Sequence, residues 1–87
     1  MSTLALIEQR LAALAPESLE LTDDSGRHAG HEGARDGGGH YNLVIVSPRF
    51  AGQSLQGRHR LVYQALADLM PREIHALSIK AYAPDEI

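Results

Sequence analysis

The sequence predicts a single α+β domain in which two helices cover one face of a three-stranded mixed sheet. Two segments carry apolar residues at helical spacing, and three shorter segments carry the alternating or β-branched pattern of strands. Their order along the 87 residues is α-β-β-α-β. A helical layer and a sheet layer can each bury an apolar face against the other. We therefore expect a two-layer α-β-β-α-β sandwich, with residues 1–87 forming one domain.

The first helix is predicted from four apolar residues that recur every three or four positions: Leu4, Ile7, Leu11 and Leu14. Ser2 or Thr3 supplies the N-cap, and the helix is expected to end before Pro16. The first strand follows at residues 19–22, where leucine alternates with polar side chains. It leads into the turn sequence DDSG at residues 23–26.

A glycine-rich segment at residues 24–39 separates the first two strands. It contains six glycines and no apolar residue larger than alanine, so it cannot contribute to a core. We expect a flexible, solvent-facing loop, and loops of this length are usually functional or disordered. Two of the five histidines of the chain, His28 and His31, lie in this loop.

The remaining elements are a strand, a helix and a strand. Residues 41–47 are rich in β-branched side chains and are followed by Pro48, which ends the second strand. The second helix is predicted to close at Pro71, and its repeating positions are Leu55, His59, Val62, Leu66 and Leu69. Residues 74–82 alternate as a third strand. The first two strands should pair antiparallel, and the second and third should be parallel because a helix joins them.

Composition restricts the functional classes that need consideration. Eleven acidic against eight basic residues give a net charge of −3, which does not favour non-specific binding to a polyanion. The chain has no cysteine, which excludes disulfides, cysteine nucleophiles and thiolate ligands from its own residues. We expect a cytoplasmic protein without membrane contact, because no targeting peptide or membrane-length apolar run is present. We also expect no enzyme, because nucleophile-elbow and phosphate-loop motifs are missing.

The sequence resembles the BolA family over residues 4–84. Four segments carry the resemblance in the family's order: LTDDSGRHAGH, GGGHYNLVIVSPRFAGQSL, GRHRLVYQAL and IHALSIKAYAP. The family has the α-β-β-α-β layout and is similar to the class II KH domain. The resemblance implies a non-catalytic protein that pairs with a monothiol glutaredoxin. The pair shares a [2Fe-2S] cluster whose thiolate ligands come from the glutaredoxin and its bound glutathione. No cluster is therefore expected to be tightly bound to the isolated chain.

The resemblance also implies which histidines are ligands. His75 matches the family ligand in the segment IHAL, and His28 matches the loop ligand by its position after the D-x-S turn, with His31 in reserve. From the residues alone, His75 shares the strand phase of Leu77, which is typical of a histidine at the edge of a core. The loop histidines can likewise be ordinary polar loop residues. A histidine-only zinc or iron site without a protein partner is a third possibility.

Two other histidines are interpreted as structural. His40 begins the second strand, and His59 shares a helical face with apolar residues, which favours packing or a hydrogen bond. Arg58 and Arg60 are candidate contacts for a partner, because basic residues in a first helical turn oppose the helix dipole unless the helix begins near Ser54. The alternative function is a KH-like nucleic-acid-binding transcriptional regulator that acts through the second helix and the residues around Arg58 and Arg60. The resemblance implies it, because some members of the family are DNA-binding regulators.

Overall fold

The computed structural model describes residues 2–24, 39–70 and 72–87. The predicted loop therefore lies outside the described residues, apart from its two ends. The helices are α1 (Thr3–Leu11) and α2 (Leu55–Ala65), and the strands are β1 (Ser18–Asp23), β2 (Gly39–Val46) and β3 (Ile74–Tyr82). Single 3₁₀ turns follow both helices, at 12–14 and 67–69, and others lie at 48–50 and 84–86. The predicted α-β-β-α-β order is confirmed.

The three strands form one sheet in the order β1-β2-β3. β1 pairs antiparallel with β2, from Ser18 opposite Val46 to Asp23 opposite Tyr41. β2 pairs in parallel with β3, and the connection between them contains α2. The pairing directions predicted from the connections are confirmed, and β2 therefore runs between two edge strands.

Both helices begin with a serine cap. The Oγ of Ser2 accepts a hydrogen bond from the Ala5 amide, and the Oγ of Ser54 accepts one from the Gly57 amide at 3.0 Å. α2 ends at Ala65, four residues before the last position of the predicted repeat, and a 3₁₀ turn follows. Positions three apart align on one face of a 3₁₀ turn, so Leu66 and Leu69 both remain buried. Among the described residues, neither helix is long and apolar enough to cross a bilayer.

The core lies between the helices and the inward-facing side of the sheet. Its fully buried large side chains come from both layers and from one connecting turn: Ile7, Leu11, Leu43, Ile45, Phe50, Val62, Leu66 and Ile74. β2 contributes alternate residues, because successive strand side chains point to opposite faces. The other face of the sheet carries no helix and presents side chains such as Asn42 and Ser78 to solvent.

Gly39 is the first residue of β2 and lies against the ring of Tyr41. A Cβ atom added to Gly39 would lie 2.5 Å from the Cε2 and Oη atoms of Tyr41, whose side chain is itself buried. We expect the Gly39→Ala variant to lose about 1–3 kcal/mol of unfolding free energy, because the ring has to move within a packed environment. Urea unfolding followed by circular dichroism measures the loss.

The control for this prediction is Gly57→Ala. There the nearest atom to an added Cβ is the Oε1 of Gln53, at the end of a flexible side chain. Alanine also raises helix propensity at this position of α2, by about 1 kcal/mol relative to glycine. Equal losses in the two variants would show that the contact with Tyr41 does not constrain residue 39.

Candidate functional site

His75 lies at the start of β3 and is exposed. Gly39 pairs with Ile74, but the next residue of β2, His40, pairs with Ala76, so β3 contains one extra residue at this point. Such a bulge interrupts the alternation of side chains. Ile74 is fully buried, and the next core-facing side chain of β3 is Leu77. The position of His75 at the edge of the core, suggested by its phase with Leu77, is therefore not what the structure shows.

The exposed ring of His75 has a second imidazole beside it. The ring centroids of His40 and His75 are 5.4 Å apart, and the ring planes are tilted by 38°. The backbone of this corner is held on both sides: the Asp24 amide donates to the His40 carbonyl at 2.7 Å, and the Gly39 amide donates to the Glu73 carbonyl at 3.2 Å. The structure thus brings together His75, to which the family resemblance assigned a ligand role, and His40, which was interpreted as structural.

A groove of about 300 Å³ lies next to the two imidazoles, where β2 and β3 begin. The groove combines three carbonyl- or hydroxyl-bearing side chains, one carboxylate and one imidazole with two apolar residues. Its lining residues are Asp24, His40, Tyr41, Asn42, Ala76, Leu77 and Ser78. These groups can accept and donate hydrogen bonds to a molecule that approaches His75 from the helix-free face of the sheet.

His28 and His31 lie outside the described residues, but both ends of the segment that carries them are at this site. Asp24, the last described residue before the segment, lines the groove, and Gly39, the first residue after it, precedes His40. Within residues 2–24, 39–70 and 72–87, no group of three or more histidine or acidic side chains is placed to hold a metal ion by itself.

Arg58 is engaged by the C-terminal residues of the chain. Its guanidinium donates to both carboxylate oxygens of Glu86 at 2.6 Å and to the Ala81 carbonyl at 3.0 Å, and its Nε donates to the Gln53 carbonyl at 3.1 Å. The Arg58 side chain is only 12% exposed. Arg60, in contrast, is exposed. These contacts connect the start of α2 to the end of β3.

The start of α2 also explains why two arginines are tolerated close to its N-terminus. The helix begins at Leu55 after the Ser54 cap, which is the start near Ser54 that relieves the conflict with the helix dipole. Arg58 and Arg60 therefore lie at the fourth and sixth helical positions. The unfavourable interaction with the helix dipole falls off within the first turn, so it is small for both residues.

The pKa of Glu86 falls from 4.5 to about 2, because the Arg58 guanidinium and the Ala83 amide both donate hydrogen bonds to its carboxylate. Since the folded pKa is the lower one, ionised Glu86 stabilises the fold above pH 4.5, and this contribution is lost as the pH falls toward 2. We expect the Glu86→Gln variant to unfold at lower urea concentration than the wild type at pH 7 and at the same concentration near pH 2.

The same experiment in an Arg58→Ala background provides the control. Once the guanidinium is absent, the Glu86→Gln change should have little further effect at pH 7, since the two side chains form one hydrogen-bonded unit. If the urea concentrations at which Glu86→Gln and wild type unfold differ by the same amount from pH 7 to pH 2, ionised Glu86 does not stabilise the fold.

His59 is half-buried and lies on α2, whereas His40 and His75 lie on the strands β2 and β3. Its Nε2 atom is shielded from solvent and has no hydrogen-bond partner among the described residues. This environment agrees with the interpretation of His59 as a packed side chain rather than an exposed ligand.

The described residues define a small α+β domain with two imidazole side chains where β2 and β3 begin. The model of the BolA-like protein family matches residues 11–86. The chain therefore belongs to the BolA family, as its resemblance to that family predicted.

Curated relatives and solved structures agree with this assignment. The chain is 48% identical over 79 residues to SufE-like protein 1 of Arabidopsis thaliana, covering 85% of this chain and 21% of that protein. It is 38% identical over 81 residues to the DNA-binding transcriptional regulator BolA of Escherichia coli K12, covering 92% and 74%. It spans about half the length of the mammalian BolA-like protein 1 relatives that it matches.

Among solved structures, BolA1 from Arabidopsis thaliana superimposes with a TM-score of 0.84 at 34% identity, covering 100% of this chain and 98% of that one. The agreement extends over the whole α-β-β-α-β arrangement. The fold class predicted from the sequence is thus confirmed by an independent comparison as well as by the strand pairing.

Proposed function

We propose that the chain is a non-catalytic accessory protein that binds a monothiol glutaredoxin and contributes histidine ligands to a shared [2Fe-2S] cluster. The observation that carries the proposal is the exposed imidazole of His75 at the start of β3. Neutral imidazole is a ligand that replaces thiolate on one iron of such clusters. The role of the complex would be to pass iron–sulfur clusters to other proteins or to sense iron.

The position of His75 suits a ligand that is shared between two proteins. Its backbone belongs to a strand paired with β2, so the sheet fixes the ligand before the partner arrives. Its side chain is exposed and its ring lies beside that of His40, which lines the groove, so the surface of a second protein can reach it.

A loop histidine is the second proposed ligand, His28 first and His31 in reserve. His28 is the fourth residue after Asp24, which lines the groove, and four residues of extended chain span at most about 14 Å. The ends of the loop therefore support an approach of His28 to the site. The chain has no cysteine, so the thiolates have to come from the glutaredoxin and from glutathione. The cluster is cargo in this proposal, not a resident cofactor of the chain.

Co-expression with a monothiol glutaredoxin tests the proposal. We expect a coloured 1:1 heterocomplex whose visible absorption and circular dichroism differ from those of the glutaredoxin homodimer, since imidazole replaces thiolate at one iron. Recovery of only the glutaredoxin homodimer and the colourless chain would overturn the proposal.

DNA binding is a second candidate function, favoured by the similarity to the DNA-binding transcriptional regulator BolA of Escherichia coli. On this chain the candidate contact is Arg60, because Arg58 already donates to Glu86 and the Ala81 carbonyl. The net charge of −3 disfavours the candidate, and Phe50 is fully buried and cannot stack on bases.

Titration of a DNA duplex at several salt concentrations tests this second candidate. If DNA is bound, the logarithm of the affinity should fall linearly with the logarithm of the salt concentration. Arg60→Ala should reduce that slope by about one. Absence of binding at low salt would remove the candidate.

A further inference from the structure

We propose that His40 and His75 form a two-imidazole site for a single divalent cation that prefers nitrogen ligands, Zn²⁺ in the first place, on the chain without its protein partner. The proposal concerns a different ligand pair and a different ion from the shared cluster. It does not depend on the glutaredoxin complex.

The separation of the two rings matches the geometry of such a site. With a metal–nitrogen distance of about 2.0–2.1 Å and tetrahedral angles, the centroids of two imidazoles on one Zn²⁺ lie roughly 5.2 Å apart. The centroids of His40 and His75 are 5.4 Å apart. The observed separation is thus the one that a cation bound to one nitrogen of each ring requires.

The backbone holds this separation in the absence of a metal. His40 and His75 lie on adjacent strands, and the bulge in β3 turns His75 away from the core at the point where Ile74 is buried. The carbonyl of His40 accepts the Asp24 amide, which fixes the β2 side of the pair. A site that is formed before binding loses less conformational entropy when the ion arrives.

The two imidazole ligands determine which ions the site prefers and how readily a bound ion exchanges. Imidazole suits zinc, copper and nickel, and water molecules can occupy the remaining positions of a tetrahedral zinc shell. An ion with an exposed ligand such as His75 and with water in its shell is expected to exchange readily. Because His75 would serve both the ion and the shared cluster, Zn²⁺ and the glutaredoxin-bound cluster should compete for it.

The experiment is a Zn²⁺ titration of the full chain without glutaredoxin, followed by isothermal calorimetry and by the ¹⁵N NMR signals of the histidine rings. In the wild type we expect one equivalent of Zn²⁺ to shift the ring nitrogens of both His40 and His75. His40→Ala and His75→Ala should each weaken binding by at least about tenfold, which corresponds to about 1.4 kcal/mol. His59→Ala is the matched control and should bind as tightly as the wild type.

A His28→Ala/His31→Ala double variant separates this site from the loop and should also retain binding. The proposal is overturned if the wild type does not bind Zn²⁺, if His40→Ala binds as tightly as wild type, or if only the loop variant loses binding. His40→Gln provides a second variant at the start of β2, and the wild-type NMR signals test the site without any substitution. The cluster proposal has a separate readout, since it requires His75 but not His40.

Discussion

Replacing His75 with alanine should abolish the distinctive spectrum of the glutaredoxin heterocomplex and leave the fold intact. The side chain is exposed, so its removal creates no cavity, and the free energy of unfolding should change by no more than about 0.5 kcal/mol. The loss of an imidazole ligand, in contrast, changes the coordination of one iron directly. Visible circular dichroism of the co-purified complex and urea unfolding of the variant alone measure the two effects separately.

Two variants place limits on the interpretation of that experiment. His59→Ala, on α2, should keep the wild-type spectrum. The His28→Ala/His31→Ala double variant should change the spectrum as well, if the loop supplies the second ligand. An unchanged spectrum in His75→Ala would exclude this residue as a ligand and with it the central assumption of the proposed function.

The layout of the fold could be predicted from the sequence because its elements have strong local signals. β3 begins and ends at the predicted residues, 74 and 82, since alternation is clear and prolines lie on both sides. β2 begins two residues earlier than predicted, at Gly39. Glycine carries no strand signal, and Gly39 joins the sheet through its pairing with Ile74, a contact that the sequence does not display.

The orientation of His75 was harder to predict for a related reason. Periodicity assigns residues 75, 77 and 79 to one face, and only the extra residue opposite the step from Gly39 to His40 changes this for His75. A bulge depends on how two strands pair, so one strand alone does not reveal it. One signal for the His40–His75 pair was available, since both residues lie at the starts of neighbouring parallel strands, and parallel strands begin at the same end of a sheet.

The contact between Arg58 and Glu86 also could not be predicted from the local sequence pattern. Its partner Glu86 is 28 residues away in sequence, and the two meet because β3 returns past the start of α2. A count of charges does not distinguish a basic residue with an internal partner from one available to a ligand. The exposure of Arg60 and the burial of Arg58 separate the two residues.

Replacing Phe50 with alanine should have the largest effect on stability of any single change considered. Phe50 lies in a 3₁₀ turn between β2 and α2, outside every predicted element, yet its side chain is 0% exposed and belongs to the core cluster. Truncation of a buried phenylalanine costs about 3–5 kcal/mol, a large part of the stability expected for a domain of this size. The melting temperature should therefore fall by roughly 15–30 °C.

Leu55→Ala provides the matched control, because Leu55 is also a large apolar residue near the start of α2 but is 66% exposed. Its truncation should change the unfolding free energy by no more than about 0.5 kcal/mol. Calorimetric melting of both variants measures the contrast. Similar small losses of unfolding free energy in the two variants would mean that the connecting turn does not anchor the second helix to the sheet. A large loss confined to Phe50→Ala would show that a core residue outside the helices and strands connects the two layers.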